Sequence, residues 1–574
     1  MGGSVLAVNL IRKTVRKHQY WYLVESRRVN GKPRIVWQRY LGKAEDIAAK
    51  LSAIRETEVY DFGAVACALA VAQRLGLEAI VDRHAHKRHQ GLAVGRLILL
   101  AVLSRVVAPR SKAQIGTWYD GTVLRRLWGT PASAFTSQAF WAAMDHLDPV
   151  ALEAIEADLV RAAIEHFGVQ VTALAYDGTN FATYISTTTP SDLAQRGHNK
   201  QKRGDLRQVS LAMLATVDGH VPLMHDTYPG NIPDPIEFGR VLGRLKERME
   251  SLAVLGDEGI TVVFDKGNPS KANFTGFAQG PDGKGPSFVS SLSLSHHPDL
   301  GAVPLQVFSE VDPTRWPGLL AFRTEKTVYG AKRRVVVTYN PALAEGQRTG
   351  IRRQQEKIEA GLKVLTERLG SQPEGAKGKR RTSKETAERY VMRLLTRYSE
   401  AGSLLAWQVA TDDQGDLHLH FTWDGEKTAQ LEAQHLGRTA LFTDHMDWTD
   451  ASIIAAYRSQ GTLENAFRQM KDPHFVTVTP MFHWTDQKIR VHLAVCVMAL
   501  TVASLMHREA RKAGFDQGFD ALLETLQGIR GVVDLPLEGT RERPRIRLTR
   551  RTPQQERLFE HFGLGQFDPS GGRP

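Results

Sequence analysis

Cysteine is scarce in this chain: two in 574 residues, Cys67 and Cys496, far apart and each within an apolar helical run. That spacing offers neither a disulfide framework nor a cysteine-based zinc site, and it reads as two buried thiols in a reducing compartment. Long hydrophobic runs are missing as well. Leu97–Val107 and Leu493–Met506 are too short or too interrupted to span a bilayer, and Met1–Leu10 has no secretory pattern, so a soluble cytoplasmic protein with no membrane partner is expected. A phosphate-binding P-loop is excluded around Gly283-Lys284, because Ala278 stands where the first glycine belongs. Acids are the minority charge, 62 against 74 Lys and Arg, giving a net charge of +12. The isoelectric point near 9.5 favours a polyanionic partner, for which nucleic acid, a ribosome or a membrane surface would each serve.

What is present describes a globular chain: 42% hydrophobic residues and ten Trp. Its length predicts about two to four domains. Residues 1–45 read as a β-hairpin around Asn30-Gly31, a type I′ turn signal. Tyr20, Trp21, Tyr22, Trp37 and Tyr40 alternate there with Arg27, Arg28, Lys32, Arg34 and Arg39, which suits either nucleic-acid contact or a small packed sheet with a basic edge. Residues 46–165 carry apolar positions at helical spacing. His84, His86 and His89 lie among Arg83, Lys87 and Arg88 without acid or cysteine partners nearby, and read as a basic surface loop rather than a metal site.

Two apolar, β-rich runs then end in aspartate: Val171–Ile185 reaches Asp177, and Gly259–Ser270 reaches Asp265. Between them Arg207–Tyr228 reads as a hairpin around Asp218-Gly219, followed by a helix near Pro235–Leu252. A single Asp-Gly after a strand is usually a turn. A third carboxylate, Glu464, falls in the segment Asp450–Lys471, read as one long helix with Asp450 as N-cap and Gly461 weakening its middle. Tyr457, Gln460, Glu464, Arg468 and Lys471 recur there at spacings of three and four and share a stripe.

Tyr457-x2-Gln460-x3-Glu464-x6-Lys471 resembles the YREK signature of bacterial insertion-sequence DDE transposases. Further matches are GTNF (Gly178–Phe181), GHNKQKRGDLRQV (Gly197–Val209), PGN (Pro229–Asn231), DKGNPSKANF (Asp265–Phe274) and HWTDQKIRVH (His483–His492). Gln460 departs from the signature's arginine, and Arg458 is the nearby candidate to replace it. The resemblance implies an α/β chain: a ribonuclease-H-like catalytic core interrupted by a large mixed α/β insertion and preceded by a β-hairpin and a helical domain. The expected spans are 1–45 (hairpin), 46–165 (helical end-recognition region), 166–274 (core), 275–445 (insertion), 446–515 (core with the Glu464 helix) and 516–574 (basic C-terminal region).

The resemblance makes Asp177, Asp265 and Glu464 the catalytic acids and the ligands of two Mg²⁺ or Mn²⁺ ions, as hard oxygen donors suit. It puts Tyr457, Gln460, Arg468 and Lys471 on DNA. Lys200, Lys202, Arg203 and Arg207, in the basic loop after the first strand, are the phosphate-gripping candidates. The implied activity is cleavage at terminal inverted repeats and joining of the 3′-hydroxyls to target DNA, with a homodimer in the synaptic complex. Hairpin-forming relatives stack an insertion aromatic on a flipped base, for which Trp407, Trp423 and Trp448 are the candidates, each of them equally suited to the core of a small sheet. Two other readings fit the same residues: a transposase-derived regulatory DNA-binding protein, and a free-standing metal-dependent nuclease.

Overall fold

From Gln208 to Thr216 every residue is buried, as happens only in a strand covered on both faces. That strand belongs to a nine-stranded sheet in the computed structural model, which describes residues 8–16, 18–29, 32–52, 57–87, 90–197, 203–252, 259–267, 273–274, 286–370, 382–472, 476–479, 481–535 and 544–569. Numbered along the chain, the sheet comprises β1 (Ala173–Thr183), β2 (Arg207–Thr216), β3 (Pro222–Pro229), β4 (Thr261–Phe264), β5 (Ser287–Leu292), β6 (Ser309–Glu310), β7 (Leu320–Val328), β8 (Ala331–Tyr339) and β9 (Arg438–Thr443). Their spatial order is β6-β7-β8-β9-β5-β4-β1-β2-β3. The β1–β4 and β4–β5 pairs are parallel, and every other pair is antiparallel.

Successive residues of β4 point to opposite faces, and each face has its own cover. Val262 and Phe264 join Leu174, Tyr176 and Leu214 beneath Phe238, Val241 and Leu245 of the Asp234–Leu252 helix. The ring centroids of Phe238 and Phe264 lie 4.5 Å apart. On the other face Val263, Val289, Val336 and Leu441 pack beneath Ile453 and Ile454.

The segment expected as one long helix is two, Asp450–Arg458 and Gly461–Lys471, broken at Ser459-Gln460. The N-cap of the first is Thr449, whose hydroxyl accepts from Ser452 N at 3.1 Å. Asp450 instead pairs with Arg323 at 2.6 Å. The weakness attributed to Gly461 is thus resolved as a break one residue earlier, with Gly461 opening the second helix.

Much of the stretch 275–445 enters the same sheet: β5 lies beside β4, and β6 to β9 extend it. The remainder, from Pro341 to Leu436, has a core of its own. Ile351, Ile358, Leu362, Leu365 and Leu369, the inward positions expected of the amphipathic helix, are all buried on Pro341–Gly370. They pack with Val391 of the Lys384–Arg397 helix and with the hairpin Leu405–Thr411/Leu417–Trp423.

The chain divides into two compact units, 71–115 with 135–509, and 1–70 with 116–134 and 510–574. The first holds the nine-stranded sheet. It also holds the Asp486–Lys512 helix, whose length and composition would allow a membrane span but whose apolar window is 94% buried. The second holds a three-stranded antiparallel sheet (Val8–Val15, His18–Val29, Lys32–Gly42) and another formed by Thr57–Asp61, Arg530–Asp534 and Arg545–Leu548. The Asn30-Gly31 turn lies outside the described residues. Thr57–Asp61 interrupts a region read as helical, because its partner strand lies far away in sequence.

Candidate active site

The register of the parallel strands builds the site. Ala175 pairs with Val263 across β1 and β4, and Val263 with Val289 across β4 and β5. Two residues further along, on the same face, come Asp177, Asp265 and Ser291. This row crosses three neighbouring strands at about 5 Å per step. Both aspartates are half-buried. The same face carries Ile453 and Ile454 of the first helix, and the second helix, with Glu464, packs against β1.

Asp177 Oδ1 accepts from Gly178 N at 2.8 Å. Asp265 Oδ1 accepts from Lys266 N at 2.7 Å and Ser291 Oγ at 3.0 Å, and Tyr457 OH stands 3.0 Å from both Asp265 Oδ1 and Ser291 Oγ. All three of these contacts to the Asp265 carboxylate fall on Oδ1. Burial, and then the neighbouring Asp265 charge, push the Tyr457 phenol well above its ordinary value, so it remains a protonated donor. Glu464 is exposed, in the first turn of its helix, and its charge also acts on that phenol. Lys471 closes the helix by donating to Thr179 Oγ1 on β1 and sits 5.6 Å from the Phe181 ring.

Gly178 has a packing reason of its own. A Cβ there would stand 3.2 Å from Tyr228 OH, which donates to Asp234 at 3.0 Å. The donor chemistry of the three acids suits a hard divalent cation. However, among the described residues no group of three or more His, Cys, Asp or Glu side chains converges enough to hold one. Asp177 and Asp265 are adjacent, and Glu464 stands on the same face without closing on them.

The other candidates separate. Arg468 is exposed. Gln460 is 7% exposed, buried at the helix break. Arg458 lies over the Trp316 ring at 5.2 Å. Arg207 is occupied by the backbone, donating to the carbonyls of Ser186, Thr189, Ser191 and Ala194. Arg203 forms a two-pronged pair with Asp205, both contacts at 2.8 Å. Lys200 and Lys202 lie outside the described residues, as does His89. His84 and His86 each have an acid after all, but different ones: Asp158 at 2.8 Å and Asp148 at 3.0 Å. Of the insertion tryptophans, Trp423 donates to Glu359 at 2.7 Å, Trp407 packs on the same helical core, and Trp448 stacks on His445 at 3.8 Å.

Sequence reasoning missed Ser291, Thr179 and Trp316. Only the strand register could have found Ser291, and register is not written in a single run of residues. A cleft of about 570 Å³ opens beside Asp265, Ser291 and Tyr457 and continues past Ser293 to Gln347 and His435.

No family model matches the chain, and no curated protein sequence matches it. Among solved structures it is similar to a piggyBac transposase synaptic complex with hairpin DNA, at 8% identity over 83% of this chain and 82% of that one, with a TM-score of 0.38.

Proposed function

We propose that this chain is a DDE-type DNA transposase on a ribonuclease-H-like core, which cuts the ends of an insertion sequence and joins the 3′-hydroxyls to target DNA. The observation that carries this reading is the in-register placement of Asp177, within β1, and Asp265, just past the end of β4, on adjacent parallel strands and on the face where the Glu464 helix packs. The order β3-β2-β1-β4-β5, with β2 alone antiparallel to the rest, supports the core assignment. Asp177, Asp265 and Glu464 are the residues that would hold Mg²⁺ or Mn²⁺. The chemistry such ions supply is a lowered pKa for the attacking water or hydroxyl and compensation of charge on the leaving oxygen.

This chain's own residues prepare that arrangement. Tyr457, Ser291 and the Lys266 amide fix the Asp265 rotamer. Lys471 ties the end of the second helix to β1. Arg468, which is exposed, and Lys200 and Lys202 would supply phosphate contacts on terminal repeats and target DNA, whereas Arg203 and Arg207 are spent on Asp205 and on backbone carbonyls. Two copies acting together would hold the two ends.

The test uses the purified full chain, Mg²⁺ and a labelled duplex carrying the inverted repeat recovered from DNA flanking the gene. Strand cutting followed by joined product is expected. Cutting without joining would favour a free-standing nuclease, and binding without cutting a regulatory protein.

A further inference from the structure

Three large aromatic side chains stand in solvent around the end of β1: Tyr184 is 54% exposed, Phe482 59% and Trp484 67%. Phe482 and Trp484 belong to one loop, and Tyr184 is hydrogen-bonded to it. The rings of Tyr184 and Phe482 lie 5.6 Å apart, and Tyr184 N donates to Met481 O at 3.3 Å. Trp484 meets Trp141 edge-on at 6.3 Å, Trp141 stacks on buried His483 at 5.7 Å, and His483 stacks on His492 at 4.4 Å. The loop is therefore rigidly backed while its outer rings face water.

Cations flank the patch. Lys488 lies over the Trp141 ring at 5.5 Å and pairs with Asp145 at 2.6 Å, and Lys112 Nζ is 2.8 Å from His483 Nε2. Arg203, held charged first by Asp205, also feels the Tyr184 phenol. Faces of aromatic rings in water, on a chain of net charge +12, fit nucleobases. The patch lies at the far end of the strand that carries Asp177, about 20 Å along it at the ordinary rise of a strand.

We propose that Tyr184, Phe482 and Trp484 form a stacking platform for unpaired bases of the DNA strand that runs past the acid row. This rests on reading the chain as a DNA-processing enzyme.

The experiment measures affinity of the full-length protein for a blunt duplex, for the same duplex with a short single-stranded overhang, and for oligothymidylate. Wild type should prefer the overhang. Trp484→Ala should lose roughly five- to hundredfold of the affinity for overhang and oligothymidylate and keep that for blunt duplex, while Trp484→Phe retains most of it. Equal wild-type affinity for blunt and overhang DNA overturns the platform, as does an equal loss on both. So does conversion of a wild-type dimer to monomer by Trp484→Ala, which would assign the patch to a second copy of the chain. If oligothymidylate binds through Trp484 but Mg²⁺-dependent cutting never occurs, the platform stands and the transposase reading falls.

Discussion

Tyr457→Phe isolates how Asp265 is aimed. The substitution keeps the ring among Val263, Val289 and Ile453 and deletes only the hydroxyl that stands 3.0 Å from Asp265 Oδ1 and from Ser291 Oγ. Because all three donors converge on Oδ1, their joint effect is to fix the rotamer of the carboxylate. Loss of a partner that orients a metal ligand costs about 10- to 100-fold in affinity. Ser291 Oγ and Lys266 N remain, so the lower end, about tenfold, is expected for Mn²⁺. The assay is a titration followed by the electron paramagnetic resonance of free Mn²⁺, with circular dichroism confirming the fold. Tyr457→Phe with Ser291→Ala should lose more than either alone. Mn²⁺ affinity unchanged or tightened in Tyr457→Phe would refute the reasoning, because the phenol would then be competing for the carboxylate instead of positioning it.

Asp177→Ala, Asp265→Ala and Glu464→Ala should each abolish Mg²⁺-dependent cutting and leave end binding nearly intact, as gel shift and cleavage assays on one substrate would show; a variant that still cuts removes its residue from the set. Arg458→Ala should leave the salt dependence of DNA binding unchanged and cost about 0.5–1 kcal/mol of stability, since its guanidinium is committed to Trp316; a salt slope shallower by about one unit would return it to the DNA. Glu156 is buried and accepts from His225 N at 2.8 Å and from Arg248 at 3.0 Å. Glu156→Ala should therefore destabilise the sheet-bearing unit by about 3–5 kcal/mol in urea unfolding. Burial alone would raise the Glu156 carboxyl, but His225 and Arg248 outweigh it and leave it below its ordinary 4.5. Its contribution is thus present above that value and lost as pH falls through the depressed one; acid unfolding that is identical in wild type and Glu156→Gln would count against this.

Local order was legible wherever one residue determines its neighbours. The runs reaching Asp177 and Asp265 read as strands because β-branched and apolar residues fill both faces, although β1 does not end at Asp177 as expected but continues to Thr183; Ile351 to Leu369 read as an inward stripe because the helical period is fixed. Partners at long range were not legible. Nothing in KTVYGAKRRVVVTYN announces that β8 pairs with β9, or that Ser291 stands beside Asp265. The break at Ser459-Gln460 escaped because a helical stripe continues through it in sequence, whereas in space it sends Tyr457 to Asp265 and Gln460 into the interior. The basic loop misled in a different way: charge predicts solvent, yet Arg207 spends its donors on four backbone carbonyls.

The segment from Pro341 to Leu436 leaves and re-enters the sheet at touching points. Tyr339 pairs with Arg438, and Asn340 N donates to Gly437 O at 2.8 Å. Gly437 has φ 74°, and a Cβ there would sit 2.7 Å from Asn340 O. A body with its own core hangs from this neck, so the backbone at its base is already the shape of a hairpin. Replacing everything beyond the neck with a two-residue turn would keep the β8–β9 ladder and the acid row while removing the wall of the cleft that bears Gln347 and His435. The body's length and content are therefore uncoupled from the carboxylates, which makes it a cassette: the acid row stays with the sheet, and the far wall of the cleft can be exchanged.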